Sequence, residues 1–369
     1  MDSSATHGPP RRAHSVRGGK LKLSGFADLC RRELELCGIR EGETVAVLSR
    51  GNERLEYADA FLAAARSLGA GGFHVRLPAE EGSSGELSDA GTWGVGKTPL
   101  AGNRAAIEAL KQASLVVDLI FLLFSDEQHE IQESSTRILT CLEPPDNLHR
   151  LFPTQDQRRR VEASAELLGR ARNMRITNRA GTDVVYQLGR YGVVTEYGYT
   201  DIPGRWDHWP SGFLFTGGAD DGVNGKVVLD RGDIIVTPFK RYVLEPTEIV
   251  IQDGRVQDIR GGLDADLLHD YMAGFDDPRA AGIAHIGWGC NERARWSGLE
   301  NDRRSMGMES RAFYGNVLFS TGPNKELGGD NDTQCHIDIP MRRCSVYLDD
   351  EPVLVDGEFV IDELRVRSL

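Results

Sequence analysis

The sequence predicts an α/β protein: an N-terminal doubly wound α/β domain joined to a C-terminal, mostly antiparallel α+β domain. Through Leu115–Phe124, short apolar runs of strand type alternate with stretches of helical spacing, the pattern of a parallel sheet with helices on both faces. From Arg175 that alternation gives way to short strands and tight turns. Between the two, Pro144-Pro145 and a charged helix break the chain. The expected organisation is a tail over 1–20, a first domain over 21–174 and a second over 175–369.

The tail holds Pro9-Pro10, Arg11, Arg12, Arg17 and Gly18-Gly19 and has no apolar stretch, so it reads as disordered rather than as a secretory signal. Phe26–Cys37 has helical spacing and stops at Gly38. Thr44–Ser49 is a buried-type strand, Leu55–Leu68 an Ala- and Leu-rich helix, and Gly72–Leu77 the next strand. Residues 79–98, rich in Gly, Ser and Glu, read as an exposed loop. A helix over Asn103–Ala113 leads into a strand over Leu115–Phe124. The turn Arg50-Gly51-Asn52 carries no glycine-rich phosphate fingerprint. Gln155–Met174 is a charged connector helix. Beyond it, Ile176–Thr177 and Asp183–Gln187 form a hairpin, and Glu248–Ile251 and Val256–Ile259 form another around Asp253-Gly254, a type I′ signal. A helix over Asp264–Phe275, strands at Ile283–Gly287, Gly315–Ser320 and Cys335–Met341, and a meander over Ser345–Leu364 complete the chain.

Composition narrows the function. The net charge of -13 argues against nucleic acid and anionic membrane surfaces as partners. The longest apolar run, Leu115–Phe124, contains Asp118 and is too short to span a bilayer. Six cysteines without CxxC spacing read as reduced, buried thiols and a cytoplasmic location.

The chemistry concentrates in three stretches. In Cys335–Met341 the strand alternation puts His336 and Asp338 on one face, about 7 Å apart at Cα, so both can reach one metal ion. A second histidine would complete the two-His, one-carboxylate set of non-haem Fe(II) oxygenases. His285, at the end of an apolar strand running into Gly287-Trp288-Gly289, is the best candidate; a satisfied core histidine is the alternative. His74, His129, His149 and His269 read as structural. The second stretch, Thr195–Gly212, crowds Glu196, Asp201, Arg205, Asp207 and His208 among Tyr197, Tyr199, Trp206 and Trp209. It reads as a site-lining loop with Glu196 and His208 as acid/base groups and the aromatics as a flat slot, or else as a structural corner with Arg205 paired to Asp207. In the third, Ser320-Thr321-Gly322 brings hydroxyls to a strand end, where they could bond a substrate.

The pattern over Gly282–Asn291, the strand at Gly315–Gly322 and His336-Ile337-Asp338 resemble the M29 metallo-aminopeptidase fold. The segments around Glu196-Tyr197-Gly198-Tyr199 and Gly204–Ser211 are more similar to its non-peptidase branch, the 2,5-dihydroxypyridine 5,6-dioxygenases of nicotinate breakdown. That resemblance implies a mononuclear Fe(II) ring-cleaving dioxygenase, one iron per chain, held by His285, His336 and Asp338. A small aromatic N-heterocycle and O2 would be the reactants, and a homo-oligomer the assembly. Glu196, His208 and Ser320 fall where the branch moves protons or contacts substrate. The peptidases hold two metals; here Leu318 and Phe319 stand where a further histidine is expected, which favours one metal. The chain departs from the dioxygenases too: where a histidine is expected over the substrate, it has Phe124, with His129 nearby. That residue bears on which ring is cleaved.

Overall fold

The computed structural model describes residues 23–79, 95–302 and 304–367. The expected tail over 1–20 and most of the expected loop over 79–98 lie outside the described residues. The end of that loop is not exposed as expected: Val95 and Thr98 are buried.

Helix α1 (Leu23–Leu36), strand β1 (Thr44–Arg50), α2 (Leu55–Ser67), β2 (Gly71–Leu77), α3 (Arg104–Leu110) and β3 (Leu115–Asp118) follow the expected order; α4 (Asp126–Glu133) and β4 (Arg137–Thr140), which the sequence reading does not foresee, come next. The winding is visible along β1. Val45 and Val47 pack with Phe26, Leu29 and Phe61 on one side. Ala46 and Leu48 pack with Ile107, Leu110 and Ile131 on the other. A strand covered on both faces has to be apolar at successive positions, as this one is.

The expected strand Leu115–Phe124 stops at Asp118. Its buried carboxylate accepts the N–H groups of Ile120 and Leu122, each at 2.8 Å, and the Thr140 hydroxyl at 2.9 Å. The chain is folded into a turn in which Phe121 and Phe124 have φ of 67° and 69°. Phe121, Leu123 and Phe124 are thereby carried past the carboxyl end of the sheet, where open α/β sheets hold their ligands.

Helix α5 (Pro145–Arg150) leads to α6 (Gln155–Arg170), which ends before Met174 because β5 (Asn173–Thr177) takes that residue. Helix α6 is packed rather than an exposed connector: Arg160 is fully buried, donates to the Cys290 carbonyl at 3.1 Å and pairs with Asp156 and Glu292. Strands β6 (Asp183–Gln187), β7 (Val194–Glu196), β8 (Trp206–His208) and β9 (Phe213–Thr216) follow. The stretch expected to be a loop thus contains two short strands. β8 pairs in parallel with β4 and completes a five-stranded sheet in the order β2-β1-β3-β4-β8.

The remaining strands are β10 (Val223–Leu229), β11 (Ile234–Ile235), β12 (Arg241–Tyr242), β13 (Thr247–Gln252) and β14 (Arg255–Arg260). After helix α7 (Leu263–Ala273) come β15 (Ile283–Gly289), α8 (Gly298–Asn301), α9 (Met308–Arg311), β16 (Val317–Thr321) and β17 (Ile337–Met341). The chain closes with β18 (Ser345–Leu348), β19 (Glu351–Val355) and β20 (Glu358–Phe359). The hairpin between β13 and β14 turns on Asp253 and Gly254, both with positive φ, as the sequence predicts. An eight-stranded antiparallel sheet runs β14-β13-β10-β6-β5-β18-β19-β20.

A third sheet, β17-β16-β15-β9-β7, is antiparallel and carries the site. Its period-two alternation divides it cleanly. Leu214, Ile286, Trp288, Val317, Phe319, Ile337 and Ile339 enter the main core. The residues between them (Phe213, Phe215, His285, Leu318 and Asp338), with His336, face a cavity. Gly287 permits this sheet: a Cβ there would lie 1.9 Å from the Leu214 carbonyl oxygen, so any side chain would push β15 off β9. Among the described residues, no helix is long and apolar enough to cross a membrane.

Candidate metal centre

The cavity lies between the carboxyl end of the parallel sheet and the polar face of the third sheet. It encloses about 830 Å³, its open mouth included. One wall is apolar, built by Val95, Phe121, Leu123, Phe124, Phe213, Phe215 and Leu318; Glu196, His208, His285, Glu326, His336, Asp338 and Arg311 line the rest.

His285, His336 and Asp338 converge here. One ligand atom from each lies within 4.8 Å of the others, and all three residues are buried. Among the described residues this is the only such group. Asp338 Oδ1 is 3.1 Å from His285 Nε2, and its Oδ2 is 3.2 Å from His336 Nε2. Each imidazole has an acceptor at its far nitrogen: His336 Nδ1 faces the Thr321 carbonyl at 3.2 Å, and His285 Nδ1 faces Glu326 Oε1 at 3.3 Å. With Nδ1–H donating outward, each Nε2 faces inward and, on losing its proton to a bound metal, would offer its lone pair as metal-ligating histidines must. The donor set therefore fits a divalent transition metal, with room left on the cavity side.

Arg311, in the last turn of α9, donates from Nε to Asp338 Oδ2 at 2.8 Å and from Nη2 to the Thr237 hydroxyl at 2.7 Å. The N–H of Val236 donates to the Asp338 carbonyl at 2.9 Å, fixing its backbone. Burial alone would raise the Asp338 carboxyl, but His336, Arg311 and His285 outweigh it and hold the group well below the usual range. Burial would likewise lower the His285 imidazolium; the Asp338 and Glu326 carboxylates reverse this and raise it to about 9.

Glu196 and His208 face the same cavity from β7 and β8. Glu196 Oε2 accepts the Ser211 hydroxyl at 3.0 Å. Burial, with the Asp207 carboxylate next, pushes Glu196 well above the usual carboxylate range. His208 is 1% exposed, and the Pro210 backbone is the polar group that acts on its ring. Burial, then the Arg311 charge, lower it to about 3. It is a neutral imidazole, not the group of ordinary pKa that the sequence suggests.

Trp206 lines the cavity and donates its indole N–H to the Thr140 hydroxyl at 2.9 Å. Phe124 lines it too, its ring centroid 5.2 Å from that of His336. His129, on α4, does not line the cavity. Ser320 pairs directly with Asp338 across β16 and β17, and its buried hydroxyl has no partner; it lies beside the cluster rather than in the cavity wall. Tyr197 and Trp209 do not form the expected slot. Trp209 is fully buried against Phe61 and Phe152. Tyr197 lies under Arg205, which pairs with Asp207 at 2.7 Å, so this part of the stretch is the structural corner.

The family model described as NicX, 2,5-dihydroxypyridine 5,6-dioxygenase, matches residues 25–361. The chain belongs to this family. A curated relative from Pseudomonas putida KT2440, 2,5-dihydroxypyridine 5,6-dioxygenase, is 47% identical over 337 residues, which is 90% of this chain and 96% of the relative. The solved structure of the 2,5-dihydroxypyridine dioxygenase from the same organism superposes with a TM-score of 0.88 at 44% identity, covering 93% of this chain and 99% of that one. Wild-type AmpT from Thermus thermophilus shares the fold alone, with a TM-score of 0.56 at 13% identity over 91% of this chain and 99% of that one.

Two residues of this family member's site escape a reading of the sequence. Arg311 and Glu326 sit on a one-turn helix and a 3-10 turn (Lys325–Leu327), far in sequence from the ligands they touch. No spacing rule pairs them with Asp338 or His285; a buried carboxylate with no local cation is the only hint, and it names no partner.

Proposed function

We propose that this chain is an Fe(II)-dependent ring-cleaving dioxygenase that opens 2,5-dihydroxypyridine, or a closely similar hydroxylated N-heterocycle, between C5 and C6. The observation that carries the proposal is the convergence of His285, His336 and Asp338 in the cavity of a chain belonging to this family. Those three residues would hold one iron per chain. Bound there, Fe(II) supplies open positions at which a ring hydroxyl and O2 can meet.

The chain's own residues would do the rest. Arg311 binds one oxygen of Asp338 and keeps its carboxylate ionised and oriented. His208, held as a neutral imidazole, would accept a hydrogen bond from the ring hydroxyl and orient it. Glu196, its carboxyl pushed up by burial, would return a proton to the opened product. The Ser320 hydroxyl is free to donate beside Asp338. Trp206 and Phe124 hold the flat ring in place and keep water off it. For 2,5-dihydroxypyridine the product is N-formylmaleamate, which contains the substrate plus both oxygen atoms, so no further reductant is required.

The second reading, a two-metal aminopeptidase, lacks a second donor set among the described residues. The buried carboxylate of Asp233 is occupied by the N–H groups of Asp230 and Arg342 at 2.8 and 3.0 Å. The test is anaerobic reconstitution with Fe(II), followed by O2 uptake with 2,5-dihydroxypyridine. Loss of the ring chromophore with one O2 per ring is expected. The absence of O2 uptake with every dihydroxypyridine and aminophenol offered would end the proposal.

A further inference from the structure

Among the described residues, Glu326 is the one acidic residue of the cavity wall besides Glu196 and Asp338. Its side chain is 9% exposed. Oε1 lies 3.3 Å from His285 Nδ1, while Oε2 is buried with no partner. A carboxylate left half satisfied is costly to bury, and a purely structural role would not keep it so. The surrounding loop holds it firmly. Lys325 pairs with Asp126 of α4 at 3.1 Å, and Leu327 packs on Phe213 and Phe215. Asn331 donates to the Gly322 carbonyl at 2.8 Å and to the Asn324 side chain at 2.9 Å.

The two histidines differ in how they are oriented. His336 uses a backbone carbonyl within its own sheet. His285 depends on a side chain that approaches from a separate loop, 41 residues further along the chain. We propose that Glu326 is the positioning residue of the metal centre: it accepts the Nδ1–H of His285, fixes the ring and its tautomer, and leaves Nε2 to bind the metal. This rests on the reading of His285, His336 and Asp338 as metal ligands. A charged acceptor strengthens that hydrogen bond and makes the imidazole a better donor to a cation. The residue touches neither reacting atom in this role; it acts through His285.

The test is Fe(II) affinity, measured anaerobically on the full chain by competition with a chromogenic chelator, with no substrate present. Glu326→Leu removes the acceptor and should weaken Fe(II) binding by roughly 10- to 100-fold. Glu326→Gln keeps an amide oxygen that can accept Nδ1–H but lacks the charge, so it should bind Fe(II) less tightly than the native chain and more tightly than Glu326→Leu. Circular dichroism of the apo proteins checks folding, and Glu326→Ala replaces the leucine variant if that one does not fold. Native binding with undiminished affinity in Glu326→Leu or Glu326→Ala overturns the proposal. So does a glutamine variant as weak as the leucine variant. If the native chain itself binds no Fe(II), the ligand assignment falls instead, and this inference falls with it.

Discussion

His208 gives a sharp test because its environment keeps its imidazole neutral. In the unfolded chain its imidazole gains a proton near 6.5; in the fold, burial and Arg311 delay this until about 3. Between those values the unfolded state binds the extra proton, so stability is lost as pH falls through the window. At pH 4.5, two pH units below 6.5 at about 1.36 kcal/mol each, the loss is about 2.7 kcal/mol relative to pH 7.5. His208→Gln removes the titrating group, and other groups cancel when the two proteins are compared. Urea unfolding of the apo native chain and of His208→Gln at both pH values measures the difference. The native chain should lose about 2.7 kcal/mol more than the variant over the interval. Equal losses would mean that the folded protein protonates His208 readily, and the role given to a neutral His208 would be refuted.

Three further outcomes follow from the geometry. His336→Ala removes one of three convergent ligands; it should retain a native circular dichroism spectrum but hold no Fe(II) by elemental analysis, and bound iron with turnover would refute the ligand set. Phe124→Ala removes an aromatic wall worth about 0.5–1.5 kcal/mol, so KM should rise up to about 10-fold with iron content unchanged; an unaltered KM would remove Phe124 from the substrate contacts. Gly287→Ala forces β15 away from β9 and should destabilise by about 1–3 kcal/mol, visible as a lower Tm, with weaker iron retention because His285 lies two residues away; a native Tm would contradict the close approach of Leu214.

The layered order from α1 to β3 was legible because a doubly covered strand and an amphipathic helix write different periods into the chain. The pair His336 and Asp338 was legible for the same reason: they are two residues apart on one strand. Contacts made through space were harder to read. β8 joins the parallel sheet as its edge strand, yet three residues between prolines and glycines carry too little pattern to announce a strand. Composition placed Trp206 and Trp209 together, but only packing separates a cavity wall from a core, and Trp209 went to the core under α2. The apolar run after Leu115 concealed its turn because the cause, Asp118 capping two N–H groups, lies in a side chain that looks like an interruption. Arg311 and Glu326 bond to residues 27 and 41 positions away, Asp338 and His285, and no local pattern records such a pairing.

The proposed role of His285, His336 and Asp338 is to hold one iron, which would supply the chemistry by which O2 opens a hydroxylated pyridine ring. Turnover of 2,5-dihydroxypyridine under isotopically labelled O2, with the Fe(II)-loaded chain and mass spectrometry of the opened product, tests it most directly. The account predicts that both atoms of one labelled O2 appear in the product. A product carrying only one label, or none, would contradict it.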